Sequence, residues 1–96
     1  MKCFFIAQIN IHDQAGYDEY LTGFDQVFDR FRGEVLAVDD HSTTLEGDWP
    51  YRRTVVIQFP DKQEALRWYH SAAYQKLAKH RWQAASANIV LVEGES

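Results

Sequence analysis

The chain has one cysteine, Cys3, in 96 residues. A lone thiol forms no internal disulfide and no thiolate zinc site, so a reducing cytoplasm is the expected setting. No apolar run approaches the ~20 residues that cross a membrane, and no membrane partner is expected. Lys2 followed by Cys3-Phe4-Phe5-Ile6-Ala7 begins like a secretory leader, but Gln8 and Asn10 interrupt it and no small-residue cleavage site follows. Basic residues are the minority. Ten Lys and Arg against fourteen Asp and Glu leave a net charge of −4, which argues against nucleic acid, whose affinity rests on phosphate contacts. Two prolines and five glycines build no linker, and there is no internal repeat or low-complexity tract. The remainder is 46% hydrophobic and 25% charged, which excludes intrinsic disorder; at this length it predicts one domain over residues 1–96.

Residues 4–11 alternate as a strand, with Phe5, Ala7, Ile9 and Ile11 on one face and Phe4, Ile6, Gln8 and Asn10 on the other. Asp13 is placed to cap a helix over 14–32, because Tyr17, Tyr20, Leu21, Phe24, Val27, Phe28 and Phe31 recur every three or four residues. Gly33 then suits a left-handed C-terminal position. A second strand is predicted over 34–38, a short extended piece over 43–46, and a turn over 47–51 punctuated by Gly47 and Pro50. Another strand covers 53–59 and stops at Pro60. Asp61 with Glu64 has capping-box spacing and opens a helix through Ala65, Leu66, Trp68 and Tyr69. Ser71 interrupts it and caps a second segment over 72–87, with Tyr74, Leu77, Arg81 and Ala84 on one stripe. The continuous apolar run Ile89-Val90-Leu91-Val92 predicts a last strand over 88–93, buried on both faces and central in the sheet.

The order β-α-β-β-α-β is a ferredoxin-like α+β arrangement, an antiparallel sheet with helices on one face. The other face carries Phe4, Ile6, Val56, Val90 and Val92, too apolar for water, and no element is left to cover it. A second copy is the simplest cover, which predicts a homodimer through the sheets. Residues 13–32 carry a net charge of −3 and residues 61–87 a net charge of +3, so neighbouring helices attract weakly.

A set of these residues also carries a family pattern. It comprises Asp13, Tyr17 and Tyr20; Gly33 and Leu36; the run Leu45-Glu46-Gly47-Asp48-Trp49; Arg53; and Val56 with Phe59-Pro60. It continues through Ala65, Trp68-Tyr69, Ser71, Tyr74 and Leu77 to Arg81, Ala84-Ala85 and Val90-Leu91-Val92-Glu93-Gly94. The whole resembles the domain-of-unknown-function 1330 family, within the dimeric α/β-barrel superfamily. Arg32 departs from it, where the family has Gly before a second Gly. The resemblance implies the ferredoxin-like fold and the dimer, and it implies no reaction.

Glu46, Trp49 and Arg53 flank one turn. In a functional reading Glu46 is a general base, Arg53 holds an anion and Trp49 stacks on a planar ligand. In a structural reading Glu46 and Arg53 form a cross-strand ion pair under a Trp49 lid. Trp68 and Tyr69 belong either to a ligand box or to the core. Arg81 lies on an apolar stripe, and a buried guanidinium needs a partner, either an acid such as Glu46 or an anionic ligand. His41, beside Asp39 and Asp40, is a candidate acid or base at the pocket mouth. His12, His41, His70 and His80 show no metal-ligand spacing, so neither metal nor cofactor is expected. Haem is a third option only if His70 or His80 projects into the cleft. The leading expectation is a small-molecule-binding protein, possible enzyme activity included, acting without cofactor on a small organic acid or carbonyl compound. Its rival is a non-catalytic dimeric module.

Overall fold

The computed structural model describes residues 1–94. Strand β1 spans Cys3–Ile11, helix α1 Gln14–Phe28, strands β2 and β3 Glu34–Asp39 and Arg53–Phe59, helices α2 and α3 Lys62–Tyr69 and Ala72–Ala84, and strand β4 Ala85–Glu93. The antiparallel sheet runs β2-β3-β1-β4, which is the expected ferredoxin-like arrangement. Alternation decides the faces. Phe5, Ala7, Ile9, Ile57 and Phe59 point to the helices and are buried, while Phe4, Ile6, Gln8 and Val56 point away and are half-buried.

The caps form where the local chemistry placed them. Asp13 accepts from the Gly16 N–H at 3.2 Å, Asp61 from the Glu64 N–H at 2.7 Å, and Ser71 from the Tyr74 N–H at 3.1 Å. Glu64 does not complete a capping box. Its carboxylate accepts from the Arg32 N–H at 2.9 Å and from Arg67 at 2.8 Å, tying α2 to the end of the first crossover. These donors, Arg67 first, hold the Glu64 carboxyl below its ordinary value.

The structure also corrects the expected element boundaries. Helix α1 ends at Phe28 rather than at 32, because Arg30 and Phe31 turn back onto Val27 and Phe28 through shorter-range hydrogen bonds. Gly33 is not left-handed; the positive φ belongs to Gly47, at 75° in the loop after β2. A Cβ on Gly33 would lie 2.5 Å from Phe28 and 2.7 Å from Phe59, so ring packing is what requires glycine there. No strand forms over 43–46 among the described residues; residues 41–50 are exposed and irregular. Helix α3 stops at Ala84, and Ala85 is already extended because it pairs with Ile11 at the far end of β1.

Strand β4 is also an edge strand rather than a central one. Its outward residues Val90 and Val92 are 56% and 44% exposed. A run apolar on both faces reads the same whether helices or another molecule cover the second face.

The core sits between sheet and helices. Trp68 lies at its centre, 1% exposed, with the rings of Phe5, Phe24, Phe28, Phe59, Tyr69 and Tyr74 around it. The acidic α1 packs beside the basic α3, as their opposite charges favour.

Candidate functional site

The aromatic packing around Trp68 fills one end of the helix–sheet layer and leaves the other end open. There a cleft of about 300 Å³ lies between α1 and the sheet, bordered by Ala7, Ile9, Phe24, Val38, Val55 and Ile57 among others. It is at the small end of ligand-site volumes and its wall is almost wholly apolar. Leu21 and Val38, 44% and 55% exposed, stand along it.

Five polar side chains interrupt this wall: Tyr17, Tyr20 and the exposed Asp25 from α1, Arg53 from β3 and Arg81 from α3. Helical spacing puts Tyr17 and Tyr20 on the inner stripe of α1, and alternation points Arg53 inward beside Val55. The Tyr20 and Tyr74 hydroxyls are hydrogen-bonded at 2.7 Å. Burial pushes both phenols above the ordinary tyrosine range, Tyr20 well above it.

The two arginines differ in how their charge is met. Arg53 donates to Asp40 through Nε at 2.8 Å and Nη2 at 3.1 Å, and its guanidinium lies 5.3 Å from the Tyr17 ring centre. These bonds hold the Asp40 carboxyl below its ordinary value and push Arg53 above its own. Arg81 is 3% exposed, and its Nη2 has no hydrogen-bond partner. Among the described residues no carboxylate lies within 4 Å of it. The guanidinium faces the Tyr20 ring at 5.8 Å. Burial lowers its proton affinity, but the nearby Tyr74 and Tyr20 more than offset this, and Arg81 is charged at neutral pH.

The residues singled out from the sequence fall into separate places. Arg53 and Arg81 border the same cleft. Glu46 and Trp49 border a shallow groove with Thr54 and Leu45, and the Trp49 indole N–H donates to Thr54 Oγ1 at 2.9 Å. Thr54 points outward where Arg53 points inward, so this groove opens on the far side of the sheet. The ion pair expected between Glu46 and Arg53 or Arg81 does not form; Asp40 takes Arg53, and Glu46 is exposed. His41 is exposed, and its backbone N–H donates to Asp39 Oδ1 at 2.7 Å. Trp68 lies in the core. Tyr69 borders a third groove with Leu66, His70 and Val90. His70 and His80 are exposed, and neither borders the cleft. Glu46, Trp49, Arg53, Trp68, Tyr69 and Arg81 therefore do not form one site; of these, Arg53 and Arg81 share the cleft. The sequence places Tyr17 and Tyr20 on the helix stripe and assigns them no site role; the available signal was their hydroxyls, which a purely apolar stripe does not need.

Comparison with known proteins places this geometry. The model of a family described as a domain of unknown function, DUF1330, matches residues 2–95. No curated protein matches the chain. Among solved structures, a protein of unknown function from Rhodopseudomonas palustris is similar at a TM-score of 0.79 and 16% identity, over 99% of this chain and 83% of that one. A dimeric ferredoxin-like protein of unknown function from a Jannaschia species gives 0.70 and 8%, over 98% and 100%. SnoaB, a cofactor-independent oxygenase from Streptomyces nogalater, gives 0.69 and 13%, over 99% and 94%. At such identities the likeness shows the ferredoxin-like fold.

Proposed function

The chain belongs to the DUF1330 family, which is defined without an assigned reaction, and from its cleft we propose that it binds a small organic acid or carbonyl compound between α1 and the sheet. One observation carries this reading. Arg81 borders the apolar cleft and is a buried charge whose Nη2 has no hydrogen-bond partner, and a charge in that position is costly unless something pairs with it. An incoming carboxylate or polarised carbonyl oxygen supplies the partner, and the apolar wall takes the rest of the molecule. The finer reading is an enzyme that acts on this compound with its own side chains and no cofactor. The Tyr20 and Tyr74 hydroxyls, hydrogen-bonded to each other at 2.7 Å, lie close to Arg81. SnoaB, which shares this fold, is described as a cofactor-independent oxygenase, and that supports the finer reading. A cytoplasmic location belongs to the same proposal, on the single cysteine.

The test is a thermal-shift series with aromatic acids, quinones and lactones, each paired with a neutral, carbonyl-free analogue. Binding to the native state raises its melting temperature by mass action, about 2.7 kcal/mol at a hundredfold excess over Kd. The oxygen-bearing compounds raise Tm and their partners do not. A flat response across the series contradicts the reading and favours the non-catalytic module.

The same proposal includes a homodimer. Phe4, Ile6, Val56, Val90 and Val92 share the sheet face that no helix covers, and one structural neighbour is described as dimeric. Light scattering at micromolar concentration gives twice the chain mass, and Val90→Lys shifts it to the monomer. A wild-type monomer under those conditions removes this part of the proposal.

A further inference from the structure

Two arginines border the cleft, yet only one of them offers a charge. Arg53 is held by both oxygens of Asp40 at 2.8 and 3.1 Å, and its face rests on Tyr17. Asp40 itself does not border the cleft; it reaches Arg53 from the loop side, where a polar groove with Asn10, Gln14 and Arg52 opens. Arg81 has no carboxylate and an unpartnered Nη2. The acidic group that does reach the cleft rim, Asp25, is exposed and repels a second negative charge. The volume of about 300 Å³ equals roughly ten waters, room for one ring and a short acidic arm.

We propose that the cleft selects small monoanions, a one-ring carboxylate being the fitting class, and that Asp40 sets this limit as a positioning residue by occupying Arg53. The proposal rests on the cleft reading above and adds the charge the ligand carries. The carboxylate lies against Arg81, where low dielectric strengthens the pairing. A second carboxylate in the same cleft meets an arginine already neutralised, a mostly apolar wall in which Tyr17 and Tyr20 are the uncharged polar groups, and Asp25 at the rim. Removing the charge of Asp40 returns Arg53 to the cleft as a second anion holder. Selectivity then moves toward dianions although no residue bordering the cleft has changed.

Calorimetric titration with phenylacetate, its neutral amide phenylacetamide and the dianion homophthalate tests this on the wild type and on Asp40→Asn, with Asp40→Ser as a second removal of the same charge. On the wild type, phenylacetate binds and the other two bind at least tenfold more weakly. In both variants homophthalate gains about tenfold relative to phenylacetate, as close charge pairs across an interface do. A merely structural role for Asp40 moves all three ligands together. Equal binding of phenylacetate and homophthalate by the wild type, or an unchanged ratio in the variants, overturns the charge limit while leaving the cleft reading standing. Absence of binding by all three overturns both.

Discussion

Replacing Trp68 by alanine strongly destabilises the chain and lowers its melting temperature well below that of the wild type. The indole is 1% exposed and touches six other rings, from β1, α1, β3, α2 and α3. Its loss opens a cavity that rigid aromatic neighbours cannot close, at a cost of about 3–5 kcal/mol. A domain of this length has only about 5–14 kcal/mol in total. The expected fall in Tm is about 12 °C or more, read by near-ultraviolet circular dichroism. Trp68→Phe costs much less. It keeps most of the ring volume, and the indole N–H that it removes has no hydrogen-bond partner, so no bond is lost. An alanine variant melting within a few degrees of wild type contradicts the central place given to this side chain.

The parts of the fold legible from the sequence are those governed by short-range rules. Asp13, Asp61 and Ser71 cap helices because a side-chain oxygen two or three residues ahead of a free N–H needs nothing else. The faces of β1 and β3 follow from strict alternation. What escaped depends on distant partners. Gly33 reads as a helix terminator until Phe28 and Phe59 are seen against it. Strand β4 reads as central because apolar residues on both faces do not say what covers the second one. The loop over 40–52 defeats local rules altogether: Asp40 turns back to Arg53 while Trp49 bonds Thr54 on the opposite side. That divergence separates Glu46 from the arginines. It was partly foreseeable, since Arg53 and Thr54 are adjacent in a strand and must face opposite ways. Arg81 was legible as a charge on an apolar stripe. Its lack of an acid partner was not, because pairing is a property of the assembled structure.

The second large effect is expected at that residue. Arg81→Met keeps the length of the side chain and removes its charge. The fold loses a face-on contact with Tyr20 at 5.8 Å, worth about 0.5–2 kcal/mol. It also sheds a buried guanidinium without an acid, whose desolvation costs several kcal/mol per ion. Stability therefore stays level or rises. Ligand affinity falls steeply, because breaking a buried charge-assisted contact costs about 2–5 kcal/mol, which is at least a tenfold loss. Stability and function move in opposite directions, as they do where a strained group is kept for binding.

The most direct measurement is thus a paired one on wild type and Arg81→Met: melting temperature without ligand, and calorimetric affinity for phenylacetate. The account predicts a Tm equal to or above wild type together with loss of phenylacetate binding. A variant that melts markedly lower and binds phenylacetate as wild type does would show that Arg81 is a structural residue and that the cleft does not read an anion.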